Sequence, residues 1–532
     1  MSEGGHDPVH ASAFALLGVA VTAYFVMWST GIGPVGNLMA QGAIQQGDRV
    51  ILATFTDRTD EGLGAVVTGA LRVDLAQGAI LILVEDAELT PVLERMQVTP
   101  GSPLTGELAR EAAVREGIGA VLDGEVARAG SGYLVTADLR EAESGRSMAA
   151  FRVTAQGPDD IIPALDRLSR EIRSKAGESL RSVRAGEPLE QVTTRSLEAL
   201  RLFAEADQTV ELGDSRQTLQ LLEQAVAIDP EFAMAWRRMA AALDNIGTDP
   251  AAARNAATQA YLHRDRLTER ERYLAEAYYF STVEQDRART IAAYQNVLRI
   301  APDDRAGLNN LGNEYSAIQD FPRAEELYQR AVDGPGRTNT AFRNLIRVRI
   351  AMGDLSGAEA AFRAFEEAYP GNQHLPEKAF WLAFLRGDLE AARATTAPLT
   401  DDPGLPAFIR AEALFRMALA SYREGRLDEG RGHALAAERV ASDVGGSFHI
   451  VQRLWTAHVE DVLGDPAWAR SHVRAILDDG SFAALDPGTR PWWFFSLMLA
   501  YQGDRERATP VLEDWDAHLP ERGTSQSERN QL

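Results

Sequence analysis

Two apolar stripes at helical spacing, which lie between Arg305 and Val332, give the clearest pattern in the chain. The first stripe comprises Leu308, Leu311, Gly312 and Tyr315, and the second comprises Ala324, Tyr328 and Ala331. Spacings of three and four place each set on one side of a helix, and the small residues Gly312 and Ala324 allow two antiparallel helices to approach closely. Between the stripes, Asp320 can cap the second helix and Pro322 fits its first turn. Neither helix can bury its stripe alone, so the pattern predicts a helix pair that stacks on copies of itself.

Copies of this unit recur at a spacing of about 34 residues. Most keep a Gly-Asp turn between the two helices. These turns are Gly213-Asp214, Gly353-Asp354, Gly387-Asp388, Gly464-Asp465 and Gly503-Asp504. The copies amount to roughly eight or nine helix pairs over residues 196–520. The pattern resembles the tetratricopeptide repeat, most closely over Arg305–Pro370, and the resemblance implies an α-solenoid.

Upstream of the repeats, residues 48–182 alternate between short apolar runs and amphipathic stretches, which predicts a small α/β domain. The predicted strands are 49–55, 79–84, 120–127, 132–140 and 147–154, and the predicted helices are 64–76, 89–96, 104–116 and 159–180. The segment resembles the amino-terminal domain of TolB and its relatives in its opening strand that ends at Phe55, in Asp57-Arg58-Thr59 after it, and in the late strand Val121–Val126. The predicted fold class of the whole chain is α+β and mainly α.

The start of the chain has an uncharged apolar stretch, Ala11–Thr30, between a polar tail at 1–10 and a glycine-rich linker at 31–47. Its length is the roughly 20 residues that a bilayer span requires, and aromatic residues lie near one end. We therefore predict a single transmembrane helix over 11–30. A buried helix and a signal peptide are the alternatives, although a signal peptide needs a basic start and no Lys or Arg precedes Arg49. The charges do not indicate the orientation.

Three phrases of the sequence are similar to the non-catalytic half of certain large bacterial membrane Ser/Thr protein kinases. They are GIGPVGNL (31–38), VTTRSLEALRLF (192–203) and LTERERYLAEAYY (267–279). This resemblance implies a single-pass protein of the bacterial inner membrane whose soluble part is periplasmic, with a cytoplasmic-facing orientation as the alternative. The kinase domain that precedes the membrane segment in that family does not occur in this sequence, so we expect a protein without its own kinase domain.

Composition narrows the classes of function. The formal net charge is −23, from 54 Lys and Arg against 77 Asp and Glu, which disfavours binding to a phosphate backbone, and we expect no nucleic-acid partner. Lysine occurs only as Lys175 and Lys378, and the absence of cysteine excludes a thiolate nucleophile and a cysteine metal site. We interpret the polar segments 183–195 and 521–532 as a linker and a tail.

Catalytic motifs are absent or incomplete. His263-Arg264-Asp265 spells the tripeptide of a kinase catalytic loop, but Arg270 stands where the magnesium-binding asparagine belongs, and we place the tripeptide inside a repeat helix. Histidines 433, 449, 458 and 472 lack the spacing of metal ligands. We expect the six tryptophans of the C-terminal repeats to serve packing: Trp381, Trp455, Trp468, Trp492, Trp493 and Trp515. The prediction is a non-enzymatic protein without a metal or another cofactor.

One binding site is predicted on the first helices of two successive repeats. Asn309 and Asn313 lie four residues apart on one helix, and Arg343 and Arg347 lie four apart on the next, at equivalent phase. Stacking would place two amides beside two guanidiniums, whose planar forks of donors suit a carboxylate or an acidic peptide. The repeat resemblance implies the same face, because first helices line the inner surface of such arrays. The alternative is a structural role for the asparagines, with the arginines paired to neighbouring glutamates.

These features together predict a membrane-anchored scaffold that presents a repeat groove to a partner protein or an acidic peptide. One alternative is a sensory or regulatory module of a Ser/Thr kinase pathway, beside a separately encoded kinase. Another is a cytoplasmic transcriptional regulator, which would need a basic winged-helix domain, whereas residues 1–48 contain no Lys or Arg. The sequence does not identify the partner or the oligomeric state.

Overall fold

A computed structural model describes residues 36–522, except for 79, 100, 212–214, 247–249 and 335–337. The predicted transmembrane helix over 11–30 lies outside the described residues. Within them, no helix is both long enough and apolar enough to cross a membrane. The chain forms two compact units: the first runs to Met239 and includes Leu262–Arg272, and the second contains Ala240–Tyr261 and continues from Tyr273.

The first unit contains a six-stranded mixed sheet. Its strands are β1 (Asp48–Leu52), β2 (Thr56–Arg58), β3 (Leu81–Leu83), β4 (Ala120–Ala129), β5 (Gly132–Glu141) and β6 (Ser147–Ala155). The order is β3-β1-β4-β5-β6, with parallel pairing on both sides of β1 and antiparallel pairing on both sides of β5. The short β2 pairs in parallel with β4.

Helices cover both faces of this sheet. They are α1 (Leu63–Leu75), α2 (Asp86–Arg95), α3 (Gly106–Arg115) and α4 (Ile161–Ala176), followed by the short α5 (Leu180–Ala185) and α6 (Leu189–Val192). Ile51 and Val121 share one core with apolar residues of α2 and α3. Because side chains alternate along a strand, the buried Val50 and Leu52 face the other side, where α1 and α4 pack.

Asp74 of α1 is a carboxylate within this packed layer. It is 1% exposed, and one of its oxygens has no hydrogen-bond partner among the described residues. The other oxygen accepts a hydrogen bond from Nε2 of Gln77 at 2.8 Å. Burial raises the pKa of Asp74 to about 6, above the value of about 3.9 for an unfolded aspartate. The folded state therefore disfavours the charged form, and this group costs stability as the pH rises from about 4 to about 6.

We expect Asp74→Asn to raise the free energy of unfolding at pH 7.5 by up to about 3 kcal/mol, because each pKa unit corresponds to roughly 1.4 kcal/mol. The gain should largely disappear near pH 4, where the wild-type carboxyl is protonated in the folded state at little cost. Urea denaturation at the two pH values measures the difference. Asp159→Asn, at an exposed aspartate, is the control. A loss of stability at pH 7.5 would show that the Asp74 charge is stabilised by its neighbours.

From Leu197 onward, the described chain forms nine consecutive helix pairs. They are α7 and α8 (Leu197–Glu211, Ser215–Ile228), α9 and α10 (Ala233–Ile246, Pro250–Leu262), α11 and α12 (Glu269–Tyr279, Arg287–Ile300), α13 and α14 (Arg305–Ala317, Phe321–Asp333), α15 and α16 (Asn339–Ala351, Leu355–Ala368), α17 and α18 (Leu375–Arg386, Leu389–Thr400), α19 and α20 (Ala407–Arg423, Leu427–Val444), α21 and α22 (Gly446–Leu463, Pro466–Asp478), and α23 and α24 (Trp492–Tyr501, Arg505–Arg522). The predicted fold class, mainly helical with a small sheet and a helical repeat region, is confirmed.

The Gly-Asp turns have a direct conformational reason. Gly353, Gly387 and Gly503 have φ angles of 78°, 86° and 72°, in the left-handed region that glycine adopts without steric cost. The aspartate that follows then caps the second helix; the Asp354 carboxylate, for example, accepts from the backbone N–H of Gly357 at 2.9 Å. Between α13 and α14, Gln319 takes the left-handed position instead, with φ 61°.

Gly312 of α13 is small because the ring of Tyr328 from α14 lies directly on it. A Cβ atom at residue 312 would be 2.6 Å from Cε1 of Tyr328, and that tyrosine is fully buried. The predicted close approach of the two helices at Gly312 is thus confirmed. Leu308, Leu311 and Tyr315 complete the buried stripe of α13.

We expect Gly312→Ala to destabilise the α13–α14 pair by about 1–3 kcal/mol, because the methyl group displaces a tightly packed ring. Hydrogen–deuterium exchange resolved by helix measures the effect, since repeat arrays can open locally. The control is Gly432→Ala in α20, where a Cβ atom would meet nothing within 4 Å. That change should instead stabilise its helix by up to about 1 kcal/mol. Equal effects of both changes would contradict the packing argument.

Candidate partner-binding face

The two predicted asparagines meet a third asparagine from the next helix pair. Nδ2 of Asn344 in α15 donates to Oδ1 of Asn309 at 2.9 Å and to Oδ1 of Asn313 at 3.3 Å, both in α13. Nδ2 of Asn309 in turn donates to Oδ1 of Asn310 at 3.0 Å. One amide of α15 therefore bridges both predicted amides of α13, and these first helices lie side by side.

The Tyr328 hydroxyl joins this cluster to the helix core. It donates to Oδ1 of Asn313 at 2.7 Å, and the Arg347 guanidinium lies beside the same hydroxyl. Burial raises the pKa of Tyr328, and the nearby Arg347 opposes that rise. Asn313 and Arg347 are both exposed. The structure thus brings Asn313 and Arg347 together at one hydroxyl group, and Asn344 links Asn309 to Asn313.

Arg343 lies one turn before Arg347 on α15 and extends the face toward α17. It is half-buried, and its Nε has no hydrogen-bond partner within the described parts of the chain. Burial lowers the pKa of His374, at the start of α17, and the positive charge of Arg343 lowers it further. His374 is therefore neutral near pH 7, which leaves Arg343 as the cation at this position.

Sequence reasoning missed Asn344 and His374, and it assigned Tyr328 to packing alone. The signal for Asn344 was present, because it follows Arg343 directly and completes a set of asparagines on adjacent first helices. The Tyr328 hydroxyl was not predictable from spacing, since its partner depends on how far the ring crosses between α14 and α13. We name the surface formed by Asn309, Asn313, Arg343, Asn344 and Arg347 the polar face.

Further along the first helices, α17 and α19 carry two ion pairs, each between a buried cation and a more exposed carboxylate. Nζ of Lys378 lies 2.8 Å from Oε1 of Glu377, and Nη1 of Arg416 lies 3.7 Å from Oε2 of Glu412. Lys378 and Arg416 are buried. Burial lowers the pKa of Arg416, while Glu412 and Glu377 hold it up. These two cations and two anions cancel, so the four residues together contribute no net charge.

Beyond these charges, α17, α19 and α21 surround an apolar cavity of about 540 Å³. Its walls are mainly aromatic and aliphatic, with Trp381, Phe384, Phe415, Phe448 and Trp455 supplying the rings. The prediction that the tryptophans serve packing is confirmed for the fully buried Trp492 and Trp515. Packing accounts only in part for Trp455 and Trp493, whose rings contact Phe494 at 4.8 and 5.2 Å but which are 40% and 47% exposed.

Within the described residues, no group of three or more His, Asp or Glu side chains is arranged to hold a metal ion. His472 pairs with Glu438 at 3.0 Å and stacks on Trp468. The sequence predicted that the His263-Arg264-Asp265 tripeptide lies inside a repeat helix, and this prediction is wrong. The tripeptide follows α10, and Arg264–Arg266 forms a single 3₁₀ turn.

We expect Tyr328→Phe to lower the local stability of α13 and α14 by about 1 kcal/mol, because the hydroxyl loses its bond to Asn313 while the ring keeps its packing. Helix-resolved hydrogen–deuterium exchange measures the change. Tyr501→Phe, at a tyrosine that is largely exposed, should have no effect. Unaltered exchange in Tyr328→Phe would show that the hydroxyl does not order the polar face.

No family model matches the chain, and no curated protein matches it. Three solved structures illustrate what it is similar to. PilW, a widely conserved type IV pilus biogenesis factor, is 19% identical with a TM-score of 0.33, over 38% of this chain and 93% of PilW. A tetratricopeptide repeat protein from Parabacteroides merdae is 15% identical with a TM-score of 0.34, over 46% and 94% of the two chains. TTC0263, a tetratricopeptide repeat protein of Thermus thermophilus, is 16% identical with a TM-score of 0.30, over 35% and 99%. Because these scores are low, the repeat assignment rests on the nine helix pairs themselves.

Proposed function

We propose that this protein is a non-enzymatic, membrane-anchored scaffold whose polar face binds an acidic segment of a partner protein. The observation that carries the proposal is which hydrogen-bonding groups of that face are already occupied within the protein. Oδ1 of Asn313 already accepts from Tyr328 and from Asn344. Asn313 and Arg347 therefore still present donors to a ligand, which favours a ligand that supplies acceptors.

A carboxylate is the acceptor that fits best. Arg347 is exposed, whereas the Nε of the half-buried Arg343 is closed to solvent, so Arg343 meets a ligand through its terminal Nη groups. A guanidinium presents two parallel donors that match the two oxygens of a carboxylate. The overall charge of −23 opposes a strongly acidic ligand at long range, so a short acidic segment suits the face better than an extended one.

The affinity of such a face would come from preorganisation. Asn309, Asn313 and Asn344 already hold one another, and the Tyr328 ring is fixed in the core. Little side-chain conformational entropy is therefore lost when a ligand binds, which is the usual advantage of a repeat surface. A protein that offers many shallow contacts of this kind serves as a binding scaffold without any reacting group.

Membrane anchoring is the second part of the proposal, and it is supported by the sequence of Ala11–Thr30 alone. The resemblance to TolB amino-terminal domains and to the non-catalytic half of membrane Ser/Thr kinases supports a periplasmic location for the soluble part. Protease access in spheroplasts tests the location. Digestion of the repeats from the outside is expected, and their protection would place them in the cytoplasm.

A sensory or regulatory module of a Ser/Thr kinase pathway is the second candidate function. The three phrases at 31–38, 192–203 and 267–279 favour it over other signalling roles. If this candidate is correct, the recovered partners should include a protein kinase that is encoded by a separate gene.

We expect the double variant Arg343→Glu and Arg347→Glu to reduce partner recovery at least tenfold. Both changes replace a hydrogen-bond donor with a negative charge, and that charge repels an acidic ligand. Affinity purification of the full chain from its native membranes, followed by quantitative mass spectrometry, measures recovery. The matched control is Arg363→Glu with Arg439→Glu, the same charge change at exposed positions on the second helices α16 and α20. Recovery that survives the first double variant, with the fold intact by circular dichroism, would rule out the polar face.

A further inference from the structure

The apolar cavity between α17, α19 and α21 has no role in the proposed function, and it has the size of a small-molecule site. Its volume of about 540 Å³ lies within the range of about 300–1,000 Å³ that such sites occupy. Three first helices contribute to it, so its walls are fixed by the stacking of the repeats.

Two contacts show that α19 and α21 run in the same direction. The rings of Phe415 and Trp455, near the middle of the two helices, lie 6.4 Å apart. The Tyr422 hydroxyl, near the end of α19, donates to the Glu460 carboxylate near the end of α21. Glu412 and Gln452 each lie in the second turn of their helix, so both are at the same end of the cavity. From there the wall continues along α21 to Leu463, about 16 Å further at the rise of a helix.

The polar end contains a buried amide without a partner. Gln452 is 5% exposed, and its Nε2 has no hydrogen-bond partner among the described residues. An unsatisfied buried donor is costly, and because Nε2 itself is closed to solvent, this side chain has to rotate toward the cavity before an acceptor of a ligand can remove that cost. The half-exposed Glu412 carboxylate at the same level is an acceptor in its own right. This end therefore matches a group that both accepts and donates a hydrogen bond.

The charges around this end specify a neutral group. Glu412 is balanced by Arg416, and Glu377 by Lys378. An additional carboxylate or ammonium group would enter a site whose charges are already paired, and it would lose its hydration without gaining a partner. The cavity thus has one polar end whose charges are paired, and a long wall that is apolar except for His458.

We propose that this cavity binds a neutral amphiphile: an alkyl chain of about a dozen carbons, matched to the length of the wall, with an amide head at Gln452. A peptide segment fits less well. An extended peptide carries an amide at every residue, and most of these would lie unpaired against the apolar wall.

A photoreactive diazirine derivative of dodecanamide tests the proposal on the full chain in lipid nanodiscs. After irradiation, mass spectrometry maps the labelled residues, so that probe dissolved in the lipid does not obscure the result. Labelling should concentrate on α17, α19 and α21. Unlabelled dodecanamide should compete at least tenfold better than dodecanoate or dodecyltrimethylammonium, which have the same chain and a charged head.

Two substitutions locate the ligand within the cavity. Val462→Glu places a charge on the apolar wall and should reduce labelling at least tenfold; this valine is 53% exposed, so the fold tolerates the change. Val444→Glu is the control, at a valine that is 46% exposed on α20 outside the cavity. Gln452→Met removes the hydrogen-bond partner of the amide head and should weaken competition by unlabelled dodecanamide, while the two charged heads should remain poor competitors because they still lose their hydration. Labelling that ignores Val462→Glu, equal competition by all three heads, or stronger competition by an uncharged leucine-rich peptide would overturn the proposal.

Discussion

The described repeat helices depend on burying apolar stripes against their neighbours, and two of the close contacts between paired helices are between an aromatic ring and a glycine. Tyr328 lies on Gly312, and Tyr422 lies in the same way on Gly430, where a Cβ atom would be 3.0 Å from the ring. A ring that is held so closely has a fixed direction, and its hydroxyl group emerges at a fixed place. The packing of the core therefore decides where polar groups appear on the first helices.

The two tyrosine hydroxyl groups have different surroundings, so the same packing orders a surface side chain in one case and a buried carboxylate in the other. The Tyr328 hydroxyl bonds to Asn313 at the surface and leaves that side chain with donors to offer. The Tyr422 hydroxyl bonds to Glu460, which is fully buried and also accepts from Arg431 at 2.8 and 2.6 Å. In the first case the hydroxyl orders an exposed surface, and in the second it completes a buried network that joins three helices. Both helix pairs thus contain a buried tyrosine ring packed on a glycine. The residues around the hydroxyl group determine whether it orders a surface or a buried network.

Much of the fold can be predicted from the residue pattern within short segments. The sites, in contrast, depend on how neighbouring helices are aligned along their axes. The helix pairs were predictable because the Gly-Asp turns and apolar spacings are properties of short segments, as Asp354 and Gly353 illustrate. The short strand β2 was missed, because three residues are too few to show alternation. The bridge from Asn344 to Asn309 was missed for a different reason: it depends on how far one repeat is shifted against the next, which no segment records by itself.

The cavity illustrates the same limit more sharply. Trp455 has the spacing of a core residue, and it would be one if α17 and α19 met α21 along its whole length. They leave a gap instead, and bulky rings line it without filling it. A chain that only needed stability would gain by closing this gap, since each unfilled volume costs dispersion contacts and an unpaired amide such as that of Gln452 costs more. The persistence of both costs in one place, between α17, α19 and α21, is the physical reason to regard the gap as a site.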